Sequence, residues 1–132
     1  MVRLAAHPSL KVVLIEDSAL LRQAIGNILG ELAGVQVVGS AADEPSAIEL
    51  LQVEQPNLAI LDLQLRQGSG LGVLQEISRD PGRFGHPRAV VFSSHDQAVI
   101  RERCFALGVD CFFNKATQLD DLLDYVRQAV PG

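Results

Sequence analysis

Five short apolar runs alternate with five stretches of helical period, and this alternation narrows the fold more than any other feature. The runs are "KVVLI" (11–15), "VQVVG" (35–39), "NLAIL" (57–61), "RAVVF" (88–92) and "VDCFF" (109–113). Three of them are almost continuously apolar, as strands covered on both faces must be. The stretches between and after them repeat apolar residues three or four apart. They carry Leu21, Ile25, Ile28, Leu29 and Leu32; then Ile48 and Leu51; then Leu71, Leu74 and Ile77; then Ile100, Cys104 and Leu107; then Leu119, Leu122, Leu123 and Val126. Gly34 and Gly108 close the first and fourth of these stretches, and Pro45 sits where a first helical turn tolerates it. Strict strand-helix alternation predicts a parallel sheet with helices on both faces. Right-handed crossovers and five strands then favour a flavodoxin-like doubly wound α/β fold, order 2-1-3-4-5, with five helices.

A chain of 132 residues suits one domain with a real core. The pattern predicts that domain over 1–132, with 1–10 as an N-terminal extension and no output domain in the chain. "SRDPGRFGHPR" (78–88) reads as a turn-rich loop rather than a linker. A net charge of −5 with only 11 Lys and Arg argues against direct binding of nucleic acid, which needs a basic face. No apolar run approaches the roughly 18 residues of a membrane span. The start, "MVRLAAHPSLK", lacks the long apolar core of a signal peptide. Cys104 and Cys111 form neither a disulfide framework nor a zinc pattern, so the expected compartment is the cytosol, with Cys104 packed in the core.

In open sheets of this kind, ligands bind beyond the carboxyl ends of the strands. The residues at those ends are Glu16 and Asp17, Asp62, Ser93 and Ser94, and Asn114 and Lys115. In the order 2-1-3-4-5 the first, third, fourth and fifth strands are neighbours. Three carboxylates, a hydroxyl and an ammonium therefore converge on one rim. Clustered acids repel unless a cation joins them, and hard oxygen ligands suit Mg²⁺. A carboxylate beside Mg²⁺ and a lysine is well placed to attack phosphorus.

With these residues the chain resembles the receiver domain of two-component response regulators over nearly its whole length. The matching pieces are "VVLIEDS", "AILDLQLRQGSGLGVL", "AVVFSS" and "CFFNKA", in order and each at a strand end. The resemblance implies that Asp62 is the phosphoacceptor. It implies that Asp17, Asp62 and the backbone carbonyl of Gln64 ligate Mg²⁺, with Glu16 acting through water. Ser93 would hydrogen-bond the phosphoryl group, Lys115 would pair with it, and Phe112 falls at the family's aromatic switch position. The implied partners are a histidine kinase or phosphotransfer protein, and an output partner on the fourth helix, fifth strand and fifth helix, roughly 96–130. Self-association as a homodimer is a further expectation for that face. The family often has proline after the lysine; with Ala116 there instead, a trans Lys115–Ala116 bond is expected.

The function implied is a phosphorylation-dependent signalling module in the cytosol, outside the membrane and not an enzyme beyond its own phosphorylation and dephosphorylation. The alternative is a pseudo-receiver that binds a partner without phosphorylation. A Mg²⁺-dependent hydrolase of the haloacid dehalogenase type also uses an aspartate at a strand end, but usually has a second one two residues on, where this chain has Gln64. Other motifs read more plainly. "GSGLG" (68–72) is a tight turn entering the third helix, because it lacks dinucleotide spacing and follows the wrong strand. His95 in "SSHD" is expected as an exposed loop residue beside the site, since adjacent residues in one turn cannot form a hydrolase triad. Asp120, Asp121 and Asp124 are expected on the wet face of the last helix, the first two near its N-terminal dipole.

Overall fold

The computed structural model describes residues 9–132. The proposed N-terminal extension lies mostly outside the described residues. Strands β1 (Leu10–Ile15), β2 (Val35–Ala41), β3 (Leu58–Leu61), β4 (Arg88–Ser93) and β5 (Cys111–Asn114) alternate with helices α1 (Ala19–Gly30), α2 (Glu44–Glu54), α3 (Gly70–Arg79), α4 (Ala98–Ala106) and α5 (Leu119–Ala129). All strand pairs are parallel, in the order β2-β1-β3-β4-β5. The doubly wound fold expected from the alternation is the fold observed.

The near-continuous apolar runs are explained by burial on both faces. In β1, Val13 and Ile15 join one core layer and Val12 and Leu14 the other. The first layer packs α2, α3 and α4 through Ala47, Leu51, Val73, Leu74, Ile77 and Cys104. The second packs α1 and α5 through Ile25, Leu29, Leu122, Leu123 and Val126. Cys104 is buried, as its place in the helical repeat requires. Each fully buried Leu or Ile contributes about 1.5–3 kcal/mol, so β3, buried at every position, is the sheet's apolar centre.

Local signals set the helix starts. Ser18, Asp43 and Ser69 cap α1, α2 and α3 by accepting from Leu21, Ser46 and Gly72 N–H groups. Pro45 falls in the first turn of α2, and Asp120 and Asp121 lie exposed in the first turn of α5.

Several boundaries differ from the sequence reading. β1 begins one residue early at Leu10, and β2 runs on to Ala41. β5 begins at Cys111, because Val109 N–H closes the end of α4 on Cys104 O and Asp110 N–H makes the first contact with β4, at Ala89 O. The turn-rich segment after α3 contains one 3-10 turn, Pro81–Phe84, which buries Phe84 completely beneath α2 and α3.

Candidate functional site

The backbone ladder does not stop where the strands do. Glu16 N–H bonds Ala41 O, Asp62 N–H bonds Ile15 O, and Lys115 N–H bonds Ser93 O, at 2.9, 2.9 and 3.1 Å. Each polar residue is thus clamped to the neighbouring strand one step beyond its own. Among the described residues only Glu16, Asp62 and Ser93 are both polar and buried, and all three lie on this rim. The apolar strand β3 thus delivers Asp62 into a polar cluster.

Carboxylate oxygens of Glu16, Asp17 and Asp62 lie within 4.8 Å of one another. Lys115 Nζ donates to Glu16 Oε1 and to Asp62 Oδ2, each at 2.6 Å. Asp62 Oδ1 accepts from Leu63 N–H at 2.7 Å, and Glu16 Oε2 accepts from Ser18 N–H at 3.0 Å. Burial pushes the Glu16 carboxyl up from its ordinary pKa; bonds from Lys115 and Ser18 pull part of that back, and Asp17 beside it adds to the rise. Burial pulls the Lys115 ammonium down, but the bonds and charges of Asp62 and Glu16 outweigh it, and the net shift is upward. Two unit charges of like sign at this spacing repel by about 3 kcal/mol at an effective dielectric of about 20. Two carboxylates share one ammonium and a third stands beside them, which leaves an anionic surplus. A hard divalent cation fits this all-oxygen donor set, and Asp17 has no cationic partner among the described residues.

Residues 12–127 match the family of the response regulator receiver domain. This chain belongs to that family. It is 31% identical over 123 residues to the nitrate/nitrite response regulator NarL of Escherichia coli, an alignment covering 92% of this chain and 55% of that protein. The receiver domain therefore spans little more than half the length of this curated relative. The signal receiver domain of NarL from Mycobacterium tuberculosis superposes with a TM-score of 0.81 at 25% identity, covering 94% and 98% of the two chains. The Mn²⁺-bound form of the response regulator Rcp1 superposes with a TM-score of 0.75 at 25% identity, covering 90% of each chain. No helix among the described residues of the receiver is long and apolar enough to cross a membrane.

The structure brings Glu16, Asp17, Asp62 and Lys115 into one cluster, and Ser93 joins it through the Lys115 backbone. Phe112 is not in the cluster. It is buried in the core layer under α4, with the Arg101 guanidinium 4.7 Å from its ring centroid. Gln64 is exposed, and its side-chain carbonyl lies 2.9 Å from His95 Nε2. His95 was expected as an exposed loop residue; it is half-buried, because that bond and one from its backbone N–H to Ser93 Oγ fold it against the rim. The Lys115–Ala116 bond is trans. Ala116 N–H donates to Asn114 Oδ1 at 2.8 Å, a bond proline could not make, and Asn114 Nδ2 donates to Asp96. Neither role of Asn114 was read from the sequence, although a side-chain amide two residues before a free N–H is a known turn signal. Gly70 is explained as well. A Cβ there would collide with the backbone carbonyl oxygen of Asp62, so the middle glycine of "GSGLG" lets the third helix start against the acidic residue's own main chain.

Proposed function

We propose that this receiver domain accepts a phosphoryl group on Asp62 from a histidine kinase or phosphotransfer protein in the cytosol, and relays the event to an output partner. The observation that carries this reading is the double bridge from Lys115 Nζ to Asp62 and Glu16, beside Asp17. Asp17, Asp62 and the backbone carbonyl of Gln64 would hold Mg²⁺, with Glu16 reaching it through water. The ion would supply positive charge against the phosphoryl oxygens; the Mn²⁺-bound form of Rcp1 supports a divalent cation in this fold.

The chain's own residues account for the rest. A carboxylate oxygen of Asp62 attacks phosphorus as the P–N bond of a phosphohistidine breaks, and the imidazole leaves with the electron pair. Leu63 N–H holds Oδ1 and fixes the carboxylate plane. Lys115, already on Oδ2, shifts to a phosphoryl oxygen, and the Ser93 hydroxyl donates to another. As Ser93 is drawn in, the loop after β4 follows, because His95 N–H is bonded to Ser93 Oγ. Phe112 beneath α4 then sets how α4, β5 and α5 pack, and the surface over roughly 96–130 changes for its partner or for a second copy. The phosphoryl group ends on the protein itself, so its chemistry is limited to its own phosphorylation and dephosphorylation.

The experiment is uptake of beryllofluoride, a phosphoryl mimic, with and without Mg²⁺, followed by NMR. Uptake only with Mg²⁺, with shifts spreading from Asp62 to α4 and α5, is the expected result. A chain that takes up none under either condition is a pseudo-receiver.

A further inference from the structure

The two outer glycines of "GSGLG" make room for one side chain, and it comes from another element. Glu44, the first residue of α2, sends its carboxylate across to the start of α3, where Oε1 accepts Ser69 N–H at 2.9 Å. Its own N–H donates to Gln67 O, also at 2.9 Å. A Cβ on Gly68 would come within 2.6 Å of the Glu44 side chain, and one on Gly72 would collide with the Glu44 carboxylate. The negative charge at the first turn of α3 suits that helix's dipole. Ser69 in turn forms an isolated antiparallel bridge with Gln64, and Gly70 N–H bonds Leu63 O at 2.9 Å. An unbroken chain of contacts thus runs from Glu44 through Ser69 to the backbone of Gln64.

We propose that Glu44 is a positioning residue for the metal site: its carboxylate fixes the loop between β3 and α3, and so the aim of the Gln64 carbonyl. This rests on the reading above in which that carbonyl is a ligand. Glu44 does not touch the ion; it holds the backbone that does. Gln67 and Gly68 are exposed and Ser69 is half-buried, so the turn ahead of α3 is ordered by backbone bonds and by this one carboxylate rather than by packing. Removing the carboxylate loosens Ser69, the bridge partner of Gln64, and so the aim of the Gln64 carbonyl, while Asp17 and Asp62 stay in place.

The test is a Mg²⁺ titration, with the metal alone as probe, of the wild type and four variants. Glu44→Ala is expected to weaken Mg²⁺ binding by about tenfold, the scale of lost supporting contacts around metal ligands. Glu44→Gln keeps an oxygen for Ser69 N–H and is expected to stay within about twofold of wild type, on the same scale. Gly72→Ala improves helix propensity, yet is expected to weaken binding as Glu44→Ala does, because the new methyl group expels the carboxylate. The double variant Glu44→Ala with Gly72→Ala should be no weaker than Glu44→Ala alone, since both changes act through one contact. A general loss of folding would weaken all four variants and could not spare Glu44→Gln. If wild type binds Mg²⁺ and Glu44→Ala binds it equally well, or if the two single effects multiply in the double variant, the positioning role is overturned. If wild type binds no Mg²⁺, the metal reading itself falls, and this inference with it.

Discussion

The two rims of the sheet are built from similar side chains and behave differently. On the amino rim, Lys11 N–H donates to Asn57 Oδ1 and Lys11 Nζ to Glu54 O, at 2.8 and 2.7 Å. Asp110 accepts from the Tyr125 hydroxyl beside Arg88. Each polar group there has a partner of its own, and the residues involved are exposed or half-buried. On the carboxyl rim two carboxylates are buried and share one ammonium, with a third carboxylate beside them. Paired polar groups on a rim satisfy one another; crowded, under-neutralised and buried ones fit a cationic ligand.

The contrast can be broken most decisively at Asp62. Asp62→Asn keeps an acceptor for Leu63 N–H and should keep the fold, while labelling by acetyl phosphate is lost entirely. Asp110→Asn on the opposite rim should leave labelling intact. Labelling of the Asp62 variant to wild-type level would remove the distinction between the rims.

A smaller effect sharpens the account of the carboxyl rim. Asp17→Ala removes a proposed direct ligand and should lower Mg²⁺ affinity by about tenfold or more, whereas Glu16→Gln should cost less. Titration followed by NMR separates the two, and equal losses would mean that Glu16 touches the ion directly.

The smallest effect lies on the amino rim. Tyr125 is the chain's single tyrosine and there is no tryptophan, so phenolate absorbance reports its ionisation without interference. Burial first, and then the bond to Asp110, push its hydroxyl up to about 12 from an ordinary 10.0. A folded pKa above the unfolded one means that the folded state holds the proton longer. The stabilisation is therefore complete below pH 10 and lost as pH rises through about 12. Asp110→Asn should move the midpoint down toward the ordinary value and leave Mg²⁺ binding unchanged. An unmoved midpoint would assign the whole shift to burial.

What was legible in the sequence follows from what is local. Runs such as "NLAIL" are apolar because both faces are covered, so the strands, their order and the strand-end positions of Glu16, Asp17, Asp62, Ser93 and Lys115 could be read in one dimension. The contribution of Phe84 could not, because it sits in a turn-rich loop and is buried only by two helices brought there by the fold. Glu44 was invisible for the same reason: its partner Ser69 is 25 residues away, and a glutamate beside Pro45 looks like any first-turn acid. A glycine in "GSGLG" shows only that space is needed, not what fills it. The half-burial of His95 is not legible in one dimension because its partner, Gln64, lies on a different loop 31 residues earlier.

The bridge between Lys115 and Glu16 spans 99 residues. A chain emerging from the ribosome therefore exposes its acids long before the ammonium that offsets them. β5 pairs only with β4, and α5 closes the layer over α1, so neither can dock until most of the sheet stands. Until then Glu16, Asp17 and Asp62 repel one another with no ammonium between them, and the rim resists closing. On the reading proposed above, competence for phosphorylation is then acquired only after β5 has been made and has docked. A fragment ending before Asn114 would offer a kinase an aspartate without the lysine that makes it reactive.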